Sequence, residues 1–72
     1  MRNVHVSWTV IHIPHGRENA ERIQRTLEDE GFIVRLRPAL TSAGAQEDYE
    51  VLTISSEAGE ARQLLLSKGL LR

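Results

Sequence analysis

The sequence predicts a small α+β domain, a two-layer sandwich with the element order βαββα. Three segments are rich in β-branched and aromatic residues or alternate apolar and polar residues, as β-strands do. Two other segments carry apolar residues at helical spacing. Because the chain has only 72 residues, we expect one domain, residues 1–72, with a small core.

The first predicted strand runs from Val4 to Ile13 (VHVSWTVIHI). Its β-branched and aromatic residues favour extended structure, and it contains no Lys, Arg, Asp, Glu or Pro. Pro14 and Gly16 end the strand, because proline cannot donate to a β-ladder and glycine permits a turn.

The first predicted helix spans Arg17 to Glu30. Its apolar face is formed by Ala20, Ile23 and Leu27. Two ion pairs with i, i+4 spacing are expected on its exposed surface, Glu18–Arg22 and Glu21–Arg25. Gly31 is expected to end this helix by adopting the left-handed conformation.

The second predicted strand, Phe32–Arg37, alternates in hydropathy. One face carries Phe32, Val34 and Leu36, and the other carries Ile33, Arg35 and Arg37. Pro38 ends the strand. The segment Ala39–Asp48 (ALTSAGAQED) is small and polar without periodicity, so we predict a loop that is mobile when no partner is bound.

The third predicted strand is Tyr49–Ile54. Either Ser55 or Ser56 is expected to cap a second helix, which ends at Lys68 and Gly69. The apolar stripe of this helix consists of Ala58, Ala61, Leu64 and Leu65.

These elements predict one topology. We expect the first two strands to be parallel and joined by a right-handed crossover, with both helices on one face of the sheet. The third strand, placed antiparallel between them, gives the strand order 2-3-1 and the split βαβ half of a ferredoxin-like fold. The predicted core joins both helices to the second strand through Phe32, Val34, Leu36, Ile23, Leu27, Ala61 and Leu65.

Composition excludes several classes of protein. Nine basic and ten acidic residues give a net charge of −1, whereas nucleic-acid binders carry excess positive charge. The absence of cysteine removes disulfides and thiolate metal sites. No apolar run reaches the length of a membrane-spanning helix. We therefore expect a cytoplasmic protein that binds neither nucleic acid nor membranes.

Several short motifs carry a resemblance to a known family. They are WTV at residues 8–10, AERI at 20–23, EG at 30–31 and VRLR at 34–37, with a looser match over 49–52 and 57–66. The chain resembles short bacterial proteins of the signal-transducing type related to the nitrogen-regulatory PII fold. This resemblance implies a ferredoxin-like fold and a regulatory role. Its motifs occupy core, cap and turn positions, so they bear on the fold and hardly at all on the chemistry.

Some similar short proteins carry a glutamate decarboxylase label, which the residues contradict here. A pyridoxal-phosphate enzyme needs a lysine for the Schiff base and a cup for the phosphate. Lys68, at the end of the last helix, is the only lysine. No Ser, Asp or Glu has the partners of a nucleophile or general base, so we expect no enzyme, no catalytic residue and no cofactor.

The sequence offers two candidate binding sites. His12 and His15 stand three residues apart, with His5 upstream, and three histidines can ligate zinc. Solvated histidines of a strand and a loop have the same spacing, and we predict no metal site.

The second candidate is an anion site at the start of the first helix, where free backbone N–H groups can meet an anion. The alternative is an ordinary helix start with solvated arginines. The predicted ligand-binding residues are His15, Gly16, Arg17 and Arg37.

The sequence leaves two alternative functions open. The first is a non-catalytic regulatory or protein-interaction module whose Ala39–Asp48 loop contacts a protein partner. The alternative is a sensor that binds a small anionic metabolite at the first helix. In either case we expect a homodimer through the first strand or the open sheet face, because that strand is an uncharged edge. The predicted interface residues are Val4, Val6, Trp8 and Val10.

Overall fold

The computed structural model describes residues 6–39 and 48–71. The helices are α1 (Arg17–Asp29) and α2 (Ala58–Ser67), and a 3₁₀ turn, Ser55–Glu57, precedes α2. The strands are β1 (Trp8–His12), β2 (Val34–Pro38) and β3 (Tyr49–Ile54). Residues 40–47 of the predicted mobile loop lie outside the described residues.

The predicted fold class and strand order are confirmed. The sheet has the order β1-β3-β2, and β3 is antiparallel to both neighbours. The two outer strands are therefore parallel to each other, joined through α1, and β1 is an edge of the sheet. None of the described helices is long and apolar enough to span a membrane.

β1 is shorter than predicted and contains a bulge. Among the described residues, β1 pairs only with β3. β3 continues as the 3₁₀ turn after Ile54, so the ladder ends near Trp8. Val10 pairs with Leu52 and His12 pairs with Val51, so Ile11 is an extra residue between them. Such a bulge changes the direction of the side chains that follow it.

The end of α1 confirms the role predicted for Gly31. The N–H of Gly31 donates to the carbonyl of Glu28 and that of Phe32 to the carbonyl of Leu27, each at 3.0 Å. Gly31 has a φ of +96°. This pair of bonds is a Schellman motif, and it explains why β2 begins at Val34 rather than Phe32.

The expected serine cap of α2 is wrong. Glu57 stands at the N-cap position, and no side-chain capping bond forms there. Ser55 is instead held against β1. Its N–H donates to the carbonyl of Ser7 at 2.8 Å, and its hydroxyl shares a 2.6 Å hydrogen bond with that of Thr9.

The core lies between the sheet and the two helices, which cover the same sheet face. The buried cluster consists of Ile11, Ile23, Leu27, Val51, Ala61 and Leu65, with Phe32, Val34 and Leu36 packed against it. All seven predicted core residues are therefore confirmed. Ile11 and Val51 also belong to this cluster, although they are not among the predicted core residues, and they contribute the core positions of β1 and β3.

Candidate functional site

The predicted anion-site residues occupy two different parts of the molecule. His15 and Gly16 precede α1, where Gly16 is the N-cap residue. Arg17 is the first residue of α1, which packs on the covered sheet face. Arg37 pairs in register with Glu50 on the open face. The fold therefore does not bring the two guanidinium groups together.

Each of the three basic side chains in this set already contacts a carboxylate. His15 Nδ1 lies 2.8 Å from Asp48 Oδ1, and Arg17 Nε lies 3.1 Å from Glu21 Oε2. Both Nε and Nη2 of Arg37 lie 2.6 Å from Glu50 Oε1. An incoming anion would have to compete with these carboxylates. The predicted anion site stays a prediction.

A groove lies beside the His15 end of this region. It has a volume of about 540 Å³ and is bounded by the end of β1, the following turn, α1 and the segment after α2. Its lining residues are His12, Ile13, Pro14, His15, Asn19, Arg22, Ile23, Gly69 and Leu70.

The β1 bulge brings His12 into this groove. Regular alternation would place His12 on the same face as Val10, which is the open face. The bulge instead pairs His12 with Val51, a core residue, so His12 lines the groove together with residues of α1. Burial lowers the pKa of His12 below its ordinary value of 6.5, which favours the neutral imidazole.

The groove is held in shape by backbone contacts around His15. Asn19 donates from Nδ2 to the carbonyl of His15 at 2.7 Å, and the Tyr49 N–H donates to the carbonyl of Pro14 at 3.1 Å. Within residues 6–39 and 48–71, no group of three His, Cys, Asp or Glu side chains is placed to hold a metal. His5 lies outside the described residues.

The arginines of α1 differ from the predicted pairing. Glu21 contacts Arg17 rather than Arg25, because a carboxylate with an arginine on either side at i, i+4 spacing can contact either one. Over the described ranges, Arg22 has no carboxylate partner, so the expected pair with Glu18 is also absent. The guanidinium of Arg22 is left available at the groove.

The second candidate surface is the sheet face that the helices leave open. Val6, Val10 and Ile33 on this side are 53%, 36% and 56% exposed. Arg35 lies over the Trp8 ring, 4.4 Å from its centroid. The open face therefore carries Val10 on β1 and Ile33 next to β2, with the arginines Arg35 and Arg37 on β2 itself.

Comparison with protein-family models, with curated proteins and with solved structures finds no match for this chain. The resemblance of residues 8–37 to PII-related signalling proteins stays an expectation.

Proposed function

We propose that this protein is a small, non-catalytic regulatory or protein-interaction module that acts as a homodimer through its open sheet face. The observation that carries the proposal is the exposure of Val6, Val10 and Ile33 on a side of the sheet without helices. Burying a large apolar side chain contributes about 1.5–3 kcal/mol. The resemblance to short signalling proteins supports the regulatory role.

The bulge in β1 favours packing of faces over pairing of edges. The regular part of β1 before the bulge is Trp8–Val10, which offers few backbone groups for a new ladder. Bulges on edge strands also twist the edge away from such pairing. The open face, in contrast, uses the side chains of all three strands.

Charge on the open face suits a two-fold arrangement. Arg37 and Glu50 lie side by side on it, so the same patch presents both signs of charge. A two-fold axis can therefore bring the arginine of one copy to the carboxylate of the other.

The size of the face sets the expected affinity. Three strands about 4.8 Å apart, with about five residues of 3.3 Å each, give a face of roughly 15 by 17 Å. Interfaces of this size belong to the small, weakly associating class. We expect a dimer that dissociates at micromolar concentrations, in the cytoplasm of a bacterial cell.

Sedimentation equilibrium from about 5 to 500 µM tests the dimer, because self-association depends on concentration. Wild-type protein should approach the dimer mass as Trp8 fluorescence shifts to shorter wavelength. Val10→Lys and Ile33→Lys should each keep it monomeric. Leu66→Lys is the matched control, because Leu66 is exposed on α2, away from the sheet, and should leave association unchanged.

Circular dichroism on each variant separates a lost interface from a lost fold. Ile33 lies just before β2 and outside the β-ladder, so we expect Ile33→Lys to fold. It therefore still tests the interface if Val10→Lys unfolds. The proposal would be contradicted if the wild-type protein stayed monomeric at the highest concentration. It would also be contradicted if Ile33→Lys and Leu66→Lys weakened self-association equally.

The Ala39–Asp48 segment is the proposed contact for a protein partner. The Ala39 N–H donates to the carbonyl of Asp48 at 2.9 Å, which closes the base of the segment, and Asp48 contacts His15. Replacing residues 41–46 by a Gly-Ser linker should therefore spare the fold. The variant should lose the partner that wild-type protein retains in an affinity pull-down, and equal retention by both would contradict this contact.

A further inference from the structure

The groove beside His12 has the dimensions of a small-molecule site. Its volume of about 540 Å³ lies within the roughly 300–1,000 Å³ of ligand pockets. Residues of β1, the following turn, α1 and the segment after α2 all line it. It lies on the helix side of the sheet, so it does not depend on the proposed dimer interface.

The polar groups of the groove include one guanidinium without a carboxylate partner. Among the described residues, Arg22 makes no side-chain ion pair, whereas Arg17 and Arg37 each hold a glutamate. An arginine matches a carboxylate well, because two parallel N–H groups can donate to its two oxygens. His12 lines the same groove and can donate a further hydrogen bond.

Part of the groove wall is apolar, although His15 and Asn19 also line it. Ile13, Ile23 and Leu70 line it together with Pro14. Half of Ile13 is exposed, so a bound apolar group would remove part of its side chain from water. The groove thus combines a cationic group with an apolar wall, as a ligand with one charged end and an apolar body requires.

We propose that this groove binds a small organic carboxylate, with its carboxylate on Arg22 and His12 and its apolar body against Ile13, Ile23 and Leu70. The charges around the groove favour a ligand with a single negative charge. Arg22 supplies one permanent positive charge, and the Asp48 carboxylate on His15 opposes a doubly charged phosphate. A carboxylate with an apolar body also uses both kinds of wall, which inorganic phosphate does not.

Amide NMR titration with sodium hexanoate tests the site. Hexanoate should bind saturably and shift the amide signals of His12, Arg22 and Leu70. Hexanamide, which has the same body without the charge, and acetate, which has the charge without the body, should each bind about tenfold more weakly. Inorganic phosphate should bind more weakly than hexanoate.

Arg22→Gln and Arg25→Gln form the matched pair of variants. Both arginines are exposed on α1, but only Arg22 lines the groove. Arg22→Gln should weaken hexanoate binding about tenfold, the loss expected for a charge-assisted pair, and Arg25→Gln should leave it unchanged. Equal losses in the two variants would show general surface attraction and overturn the proposal.

The imidazole of His12 gives a second readout. A carboxylate beside it favours the charged form, so saturating hexanoate should raise the pKa of His12 in an NMR titration, and hexanamide should not. An unchanged pKa of His12, absence of saturable hexanoate binding, or tighter binding of phosphate would each overturn the proposal. Val10→Lys, which should be monomeric, should bind hexanoate as the wild type does. Titrating this variant with hexanoate therefore tests the groove independently of the proposed dimer.

Discussion

The guanidinium of Arg35 lies 4.4 Å from the centroid of the Trp8 ring, although the two residues belong to opposite outer strands. Their contact therefore spans β3. Leu52, the β3 residue paired with both Arg35 and Val10, is only 3% exposed on the face without helices. We infer that the Arg35–Trp8 pair covers Leu52 and gives the open face a small packed centre.

Arg35→Ala should lower the free energy of unfolding by about 1–2 kcal/mol. A cation–π contact at an exposed site contributes about 0.5–1 kcal/mol, and uncovering Leu52 adds lost apolar burial. Arg35→Lys, which keeps a cation, should cost less. Urea denaturation followed by Trp8 fluorescence measures both.

Arg37→Ala is the control for this pair, because Arg37 lies two residues along the same strand and contacts Glu50 rather than Trp8. Loss of an exposed ion pair should cost at most about 1 kcal/mol. If Arg37→Ala cost as much as Arg35→Ala, the proposed cover over Leu52 would be wrong.

Gly31→Ala and Gly59→Ala should change stability in opposite directions. A Cβ at either position meets no atom within 4 Å, so the difference comes from the backbone alone. Gly31 has a positive φ, where an alanine costs about 1–2 kcal/mol. Gly59 lies within α2, where alanine in place of glycine contributes about 0.5–1 kcal/mol. Thermal unfolding measures the stability of the two variants. A change in the same direction for both would contradict the backbone conformations assigned to Gly31 and Gly59.

The sequence alone predicted those features that depend on residues close together along the chain. The helical face of Ala20, Ile23 and Leu27 and the stop at Gly31 depend only on neighbours along the chain, and both are confirmed. The strand order followed from placing the third strand antiparallel between the first two, as in a split βαβ unit. The serine cap failed because Ser55 binds β1, a partner 46 residues away that no local pattern indicates.

The groove could not be predicted for a similar reason. Its position depends on the bulge at Ile11, which arises from pairing with β3 and leaves no mark in the apolar alternation of β1. Whether Glu18 contacts Arg22 is also a matter of rotamers. The bulge brings His12 to the groove, and the absence of the Glu18–Arg22 pair leaves Arg22 available there.

Thr53→Val should stabilise the protein by about 1 kcal/mol. Thr53 is fully buried, and its hydroxyl finds no hydrogen-bond partner in the part of the chain that the structure describes. Burying an unsatisfied hydroxyl costs about 1–3 kcal/mol, and valine has nearly the same shape. Thr9→Val is the contrasting variant, because Thr9 bonds Ser55 and its loss should destabilise. Urea denaturation measures both, and a destabilised Thr53→Val would show that the hydroxyl is satisfied.

The last prediction concerns the stability of the protein in acid. Burial lowers the pKa of His12 in the folded state below 6.5, so the unfolded chain takes up a proton there more readily. The stability that depends on neutral His12 is therefore fully present above pH 6.5 and is lost as the pH falls through the folded pKa. His12→Gln removes this proton linkage and should make the free energy of unfolding less sensitive to a change from pH 7.5 to 5.5.

His15 is the necessary comparison, since it lines the same groove but is exposed and contacts Asp48. His15→Gln should leave the acid-induced loss attributed to His12 in place. NMR titration of the His12 imidazole measures its pKa directly. A pKa of His12 at or above 6.5, or equal acid sensitivity in wild type and His12→Gln, would show that the groove leaves this imidazole as hydrated as it is in the unfolded chain.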